Sequence, residues 1–320
     1  MNESCEVKTN KLKHQESGWP NYLLGVVDQL IKAEHKVNGF NCVFGGDIPI
    51  GAGLSSSAAI EGGLAFALNH IFNLKIDKLT LVKLSQKAEN EFVGVKCGIM
   101  DQFINIFGES DKVLKIDCRS LEFEYVPFEF KNVSIVLFDT CVSHSLASSE
   151  YNQRRKDCGT GVEIIHKNIS SVSSLRDVSI EMLQEYKNVM EPKIYNRCRY
   201  VVEEKDRLLN ACAALNKNDL KTFGSLMFWT HDGLSKEYEV SCEELDFLVD
   251  SVRSNPAVYG SRMMGGGFGG CTINLIENNR IEDIVADISK LYNKKFNRQM
   301  KSYITTISSG TQIIDKNKYE

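Results

Sequence analysis

The residues of this sequence that are best suited to chemistry lie in a turn at residues 51–57, which reads GAGLSSS and is called the serine loop below. A short strand-like run with apolar side chains at Phe40, Cys42 and Phe44 precedes it, and from Ala58 onward apolar residues recur at helical spacing. A glycine turn between a strand and the start of a helix directs backbone N–H groups and the positive helix end toward one point. This order of elements predicts an anion-binding loop.

The serine loop also carries three hydroxyl groups, those of Ser55, Ser56 and Ser57. Such hydroxyls can donate to phosphate oxygens or ligate Mg²⁺. No lysine follows the glycines, so the loop is not of the G-x-x-x-x-G-K-[ST] type. The alternative interpretation is a serine-rich N-cap on a buried helix, because serine is favoured at that position.

Two acidic residues lie in apolar surroundings. Glu89 falls beside the apolar face of a helix predicted from its N-cap Asp77 through Phe92, and its spacing fits a surface acid and a metal ligand equally well. Asp101 lies in a short apolar segment after Gly98, so it must be paired or have a raised pKa. Such an environment is typical of a general base, although an aspartate that caps a buried helix would also be placed there.

The elements that must position these residues follow from hydrophobic periodicity. A helix is predicted from Pro20, a residue suited to a first helical turn, through Lys36, and Trp19 just before it is interpreted as a core or boundary aromatic in preference to a ligand platform. Further helices are predicted at 178–190, 193–215, 217–229, 242–253 and 281–297, and strands at 112–117, 121–126, 133–138, 271–276 and 302–307. Residues 311–320 are expected to form a polar tail.

A second glycine-rich segment covers residues 265–270, GGGFGG, and is called the glycine run below. Five glycines in six positions carry a large entropic cost, so they are expected where the backbone passes very close to something. The apolar ends of the run argue against a solvated linker. Arg154 and Arg155, on a charged helix, could meet an anion, but a solvated helix face is the favoured interpretation.

The composition of the whole chain excludes several classes of protein. Its 320 residues suffice for two domains, and the formal net charge of −4 argues against a dedicated nucleic-acid surface. The ten cysteines include no C-x-x-C pair and no zinc-type spacing, so they are interpreted as free thiols in a reducing compartment. No signal peptide and no apolar run of about 18 residues occur. We therefore expect a cytoplasmic protein without a membrane segment.

Five segments, taken in order, resemble the galactokinase branch of the GHMP small-molecule kinases. They are GDIPIGAGLSSSAAIE, AENEFVGVKCGIMDQF, HSLASSEYNQRR, YEVSCEELD and YGSRMMGGGFGGCT. The resemblance extends from about Trp19 to Thr306. It implies an α+β, two-domain GHMP kinase fold, with a ribosomal protein S5 domain 2-like N-terminal domain and an α/β C-terminal domain.

The resemblance also implies domain limits and ligands. Residues 1–170 would form the ATP-binding N-terminal domain and residues 171–320 the C-terminal domain, with the site in the cleft between them; 168–176, polar and serine-rich, is the predicted boundary. The expected ligands are ATP, Mg²⁺ and galactose, bound by a monomer that has neither a nucleic-acid nor a membrane partner.

The family motifs assign roles to single residues of this sequence. The triphosphate cradle would consist of Gly51, Ala52, Gly53, Leu54, Ser55, Ser56 and Ser57, with Trp19 near the adenine. Mg²⁺ would be held by Ser57 and Glu89. Asp101 would take the proton from the anomeric hydroxyl, Gly98 and Tyr238 would contact the sugar, and the glycine run would pack close to the serine loop.

The reaction that the resemblance implies is phosphoryl transfer from ATP to O1 of α-D-galactose, giving galactose 1-phosphate. Catalysis would then be mainly positioning and charge neutralisation. Two alternatives stay open from the sequence. One is a kinase for N-acetylgalactosamine or another sugar, and the other is a non-catalytic regulator that binds galactose or ATP.

The sequence departs from the family pattern at its start. Galactokinases begin with a motif of the form G-R-x-N-L-I-G-E-H-x-D-Y, which does not occur in this sequence. Loss of such an electrostatic group typically costs about 10²–10³ in rate, and loss of an arginine finger about 10³–10⁵. We therefore expect an incomplete N-terminal sheet, low stability and little or no galactokinase activity for this chain alone, and normal turnover in an ADP-release assay would refute that expectation.

Overall fold

The computed structural model describes residues 3–16, 18–49, 53–143 and 147–314. The helices are α1 (Pro20–Lys32), α2 (Ser56–Ile71), α3 (Lys78–Lys87), α4 (Met100–Phe107), α5 (Ala147–His166), α6 (Ile180–Glu185), α7 (Pro192–Asn216), α8 (Leu220–Lys236), α9 (Glu243–Arg253) and α10 (Ile281–Phe296). The strands are β1 (Lys112–Ile116), β2 (Phe123–Pro127), β3 (Val133–Ser143), β4 (Val258–Met263), β5 (Gly269–Glu277) and β6 (Lys301–Thr305). Within these ranges, no helix combines the length and apolarity needed to cross a bilayer.

The chain divides into two compact units. The first comprises Met1–Ile50, Leu54–Val126 and Ile307–Glu320, and the second comprises Gly51–Gly53 and Pro127–Thr306. These limits do not coincide with the predicted boundary at 168–176, because β3 pairs with β5 and β6 and so belongs to the second unit. The division into family domains at 170–171 stays a prediction.

The helices α1, α2 and α3 enclose the main core of the first unit. Its buried side chains include Val26, Leu30, Leu64, Leu68 and Leu81. Helix α1 starts with proline at its first position, as predicted, but ends at Lys32, four residues before the predicted limit. Gly25 lies where α1 meets the segment after α3, and a β-carbon there would lie 3.1 Å from both Ala88 and Phe92.

The strand predicted around residues 40–44 is wrong. These residues have no regular secondary structure, and the side chains of Val43 and Phe44 are 101% and 48% exposed. A strand is stabilised by hydrogen bonds to a neighbour, and none of the described strands pairs with this segment. Among the described residues, the first unit contains only the two-stranded β1–β2 sheet.

The helix predicted from Asp77 through Phe92 has two parts. Asp77 caps α3 as predicted, since its carboxylate accepts the N–H of Thr80 at 3.0 Å. The α-helix ends at Lys87, and a π-helical turn, Ala88–Val93, follows and ends at Gly94 with φ of 91°. Such turns occur frequently at functional sites, and this one carries Glu89.

The second unit contains an antiparallel sheet of order β4-β5-β3-β6. Its core includes Val136, Phe138, Val249, Ile276 and Tyr292. Strand β4 was not predicted, because the glycine-rich sequence that follows it obscured the pattern. The helices at 193–215, 217–229, 242–253 and 281–297 are confirmed with shifted ends, whereas the one at 178–190 shortens to α6.

The start of the predicted polar tail is attached to the end of α4 by hydrogen bonds. The N–H of Gly310 donates to the carbonyl of Gly108 at 2.8 Å, and the N–H of Thr311 donates to the carbonyl of Asn105 at 2.7 Å. The chain is therefore attached to the end of α4 at residues 310–311. Residues 315–320 lie outside the described part of the chain.

Candidate functional site

The serine loop leads directly into α2. Gly51 and Ala52 lie outside the described residues; Gly53 is exposed, with φ of 74° and open space around the position of a β-carbon. Ser55 is the N-cap residue of α2, but it has a left-handed φ of 53° and its side chain makes no capping hydrogen bond. The interpretation of Ser55 as an ordinary side-chain N-cap is therefore wrong.

The hydroxyl of Ser55 instead binds the candidate base. Its Oγ donates to Oδ2 of Asp101 over 2.5 Å, and both residues are partly exposed. Asp101 occupies the first turn of α4, whose N-cap is Ile99, so Asp101 is not the cap that the alternative interpretation required. A left-handed residue that is not glycine is strained, and such strain is common at functional sites. The geometry joins the serine loop to Asp101.

Glu89 is buried, with 6% of its surface exposed, which contradicts the interpretation as a surface acid. Its Oε2 accepts a hydrogen bond from Nε2 of Gln102 at 2.8 Å and another from the thiol of Cys97 at 3.3 Å. Burial and then the Glu89 charge raise the pKa of Cys97 to about 12, so this cysteine remains a neutral donor. The two donors fix the orientation of the Glu89 carboxylate.

The sequence analysis missed Glu61, which lies next to Glu89. Glu61 on α2 is fully buried, and neither carboxyl oxygen has a hydrogen-bond partner among the described residues. Burial first, and then the charge of Glu89, raise its pKa to about 9. The available signal was a single acid in an apolar helix, AAIEGGLAFAL, four residues after Ser57.

The oxygen donors in this region fit a magnesium ion. Serine hydroxyl and glutamate carboxylate are hard ligands, and Mg²⁺ is usually held by one or two carboxylates together with waters and substrate phosphates. No group of three or more His, Cys, Asp or Glu side chains suited to a metal occurs in the described ranges. A complete protein cage is not needed for this ion, so Ser57 and Glu89 stay candidate ligands.

Two other predicted site residues also lie in the first unit. The Trp19 indole donates to the Glu3 carboxylate at 2.5 Å, and its ring centroid is 5.5 Å from that of Phe44. Trp19 is partly exposed. Gly98 is exposed just before α4, with open space where a β-carbon would be. Their roles near adenine and sugar stay predictions.

Arg154 on α5 is buried and holds the segment that carries Tyr238. Its Nε donates to the carbonyl of Tyr238 at 3.0 Å and its Nη2 to the carbonyl of Glu239 at 2.5 Å. The solvated-face interpretation is therefore wrong for Arg154, although Arg155 is exposed as expected. The Tyr238 ring lies 5.3 Å from that of Tyr200, and burial raises its pKa. Its sugar contact stays a prediction.

The glycine run forms the turn between β4 and β5. Gly267 has φ of 86°, and a β-carbon there would collide with the carbonyl of Val240, while the N–H of Phe268 donates to that carbonyl at 2.8 Å. The predicted close approach is thus confirmed, and the neighbour is the chain's own backbone. Tyr151, which the sequence analysis did not single out, is 41% exposed and its ring lies 3.9 Å from the β-carbon position of Gly266.

Comparisons with known proteins identify the family of this chain. Residues 21–109 match the model of the GHMP kinases N terminal domain, and residues 211–294 match that of the GHMP kinases C terminal domain. A galactokinase of Thermotoga neapolitana is 39% identical over 315 residues, which cover 98% of this chain and 86% of the relative. A galactokinase of Clostridium acetobutylicum is also 39% identical, over 95% of this chain and 78% of its own length.

Solved structures give the same result. A Lactococcus lactis galactokinase complexed with galactose superimposes with a TM-score of 0.86 and 32% identity, covering 93% of this chain and 77% of the other. The mevalonate kinase of Methanococcus jannaschii, at a TM-score of 0.62 and 18% identity, shares the fold alone. Because both family domains match and relatives at 39% identity align along most of their length, the chain belongs to the galactokinase family of the GHMP kinases.

Proposed function

We propose that the chain transfers the γ-phosphoryl group of ATP to O1 of α-D-galactose, producing galactose 1-phosphate. The observation that carries the proposal is the hydrogen bond from Ser55 in the serine loop to Asp101, in a chain 39% identical to galactokinases. This hydrogen bond connects a segment suited to binding phosphate with a carboxylate suited to proton transfer.

Asp101 acts as the general base. Ser55 binds Oδ2 and does not occupy Oδ1, which accepts the proton of the anomeric hydroxyl. The bond from Ser55 fixes the carboxylate, so less orientational freedom is lost in the reacting complex. Deprotonation leaves O1 as the nucleophile toward the γ-phosphorus, and the β–γ bridging oxygen leaves with ADP.

The serine loop and the start of α2 bind the triphosphate. The first N–H groups of α2 are not capped by the Ser55 side chain, so they can donate to phosphate oxygens. Ser57 and Glu89 would hold Mg²⁺, which supplies neutralisation of phosphate charge when bound. Gln102 and Cys97 keep the Glu89 carboxylate oriented for that role.

The remaining assignments complete the proposal. Trp19 lies near the adenine, and Gly98 and Tyr238 contact the sugar; the open space at Gly98 supports its assignment. Residues 1–170 and 171–320 form the two family domains of a cytoplasmic monomer that binds small molecules only.

The test detects galactose 1-phosphate by phosphorus NMR after prolonged incubation of the chain with ATP, Mg²⁺ and galactose. Asp101→Asn is expected to reduce the rate about 10²–10⁴-fold, the usual contribution of a general base. Asp111→Asn, an exposed residue with φ of 60° that asparagine tolerates, is the matched control and should leave the rate unchanged. Product from N-acetylgalactosamine alone, or an Asp101→Asn variant with the rate of the wild type, would overturn the proposal.

A further inference from the structure

The Glu61 carboxyl group has no role in the reaction described above. It is fully buried, and both of its oxygens lack a hydrogen-bond partner among the described residues. Buried carboxyl groups are normally hydrogen-bonded, paired with a cation or bound to a metal, because burial of an unsatisfied polar group is unfavourable. Glu61 is therefore a buried acid whose carboxyl oxygens receive no hydrogen bond from the described residues.

The helix places Glu61 close to the candidate cation ligands. Residues four apart on a helix share one face, and the side chain of the later residue leans toward the helix start, so Glu61 lies on the same face of α2 as Ser57. The Glu89 carboxylate on the π-helical turn is close enough to act on the charge of Glu61, and Gln102 is a further neighbour of Glu61. The helix and the π-helical turn thus bring the two carboxyl groups together, and Ser57 lies on the same face of α2 as Glu61.

The charges of this group are not balanced by the protein. In the described ranges, no lysine, arginine or histidine forms an ion pair with Glu61 or Glu89. Gln102 and Cys97 both bind Oε2 of Glu89, so they do not occupy its other oxygen. Gln102 is also buried, and its Oε1 lacks a partner. Adjacent buried carboxylates repel each other unless a proton or a cation lies between them.

We propose that Glu61 is a second carboxylate ligand of the divalent-cation site that Ser57 and Glu89 form. The inference rests on the proposed function, since it adds a residue to the magnesium site assigned there. Two carboxylates are within the usual number for Mg²⁺, and the other ligands are water and phosphate oxygens. Glu61 then gives the protein affinity for the cation before the nucleotide arrives.

The experiment measures binding of Mn²⁺ alone to the full chain at pH 7.5, by the decrease of the free-ion signal in electron paramagnetic resonance. Glu61→Gln preserves size and shape and is expected to weaken Mn²⁺ binding at least tenfold, the lower range for loss of a group around a metal. Glu91→Gln is the matched control, because Glu91 lies on the same π-helical turn but is exposed and accepts a hydrogen bond from Gln29 at 3.0 Å. It should leave binding unchanged.

A Glu89→Gln variant distinguishes a failure of the proposed magnesium site from a failure of the role proposed for Glu61. Unchanged Mn²⁺ affinity in Glu89→Gln would remove the proposed magnesium site itself, and with it this inference. Weaker binding in Glu89→Gln together with wild-type binding in Glu61→Gln would overturn only the role of Glu61 and assign it a structural function. If circular dichroism shows that Glu61→Gln does not fold, Glu61→Asp decides: weaker binding by the folded variant supports the proposal, and unchanged binding overturns it.

Discussion

The two glycine-rich segments of this chain look alike in sequence but have opposite surroundings. In the serine loop, Gly53 has a positive φ and nothing within 4 Å of its β-carbon position. In the glycine run, Gly267 also has a positive φ, but a β-carbon would collide with the Val240 carbonyl. The first glycine has open space around it, whereas the second allows the chain to pack against itself.

The comparison distinguishes two reasons why a position in the chain requires glycine. A left-handed φ accounts for both positions, because side chains disfavour that conformation. Only at Gly267 does close packing add a second reason, and there the protein's own fold supplies the neighbour. Substitution at the two positions should therefore affect different properties of the protein, and the predictions below start with the largest change in stability.

Gly267→Ala is expected to produce the largest loss. The methyl group meets the Val240 carbonyl, and the backbone must also hold alanine at φ of 86°. Strain of this kind together with the steric clash should lower the free energy of unfolding by about 3 kcal/mol or more. Urea denaturation followed by circular dichroism measures the change, and a loss below about 1 kcal/mol would contradict the packing explanation.

Arg154→Ala should have the next largest effect, because Arg154 secures the segment against which the glycine run packs. The arginine is 5% exposed and donates to the Tyr238 and Glu239 carbonyls and to the Glu150 carboxylate. Hydrogen bonds from a charged group contribute about 1.5–3 kcal/mol, so a loss of about 2 kcal/mol is expected. Arg155→Ala is the control at an exposed neighbouring position and should change stability by less than about 0.5 kcal/mol.

Periodicity and motif spacing predicted much of the fold and part of the site. The helices around α7 and α10 and the strand β5 follow from local pattern, and the loop at Ser55 and the acid Asp101 follow from residue types. The π-helical turn could not be predicted, since its hydrogen bonds span only one residue more than those of an α-helix. Burial of Arg154 and Glu61 also depends on packing between elements, which no local pattern contains.

The strand wrongly predicted at residues 40–44 is a second case in which local pattern was insufficient. Its alternation of apolar residues is correct for a strand, but strand formation requires a partner that the pattern does not specify. Val43 is consequently fully exposed in an irregular segment. The sequence predicts local preference, and the pairing decides whether that preference is realised.

Unlike the exposed Gly53 in the serine loop, the buried carboxyl group of Glu61 should make the stability of the protein depend on pH. Burial raises the pKa of Glu61 from the ordinary 4.5 to about 9, so the folded state holds this proton more tightly than the unfolded state. The resulting stabilisation is complete below pH 4 and is lost as the pH rises toward 9. In metal-free buffer, the contribution of Glu61 to the free energy of unfolding should fall by about 1.4 kcal/mol per pH unit in this window. Glu61→Gln should flatten that slope, and an equal slope in both proteins would contradict the prediction.

Gly53→Ala should have the smallest effect on stability and a clear effect on the ligand. The methyl group meets no neighbour, so only the strain of φ at 74° remains, a loss of about 1 kcal/mol. If the serine loop binds the triphosphate, however, the methyl group occupies space that phosphate oxygens need, and calorimetry should show weaker Mg-ATP binding, by about tenfold. Gly46→Ala, at an exposed glycine with equally open surroundings and no positive φ, is the matched control and should bind like the wild type. Equal Mg-ATP affinity in all three proteins would mean that glycine is needed at position 53 only for its positive φ and that Gly53 does not contact the nucleotide.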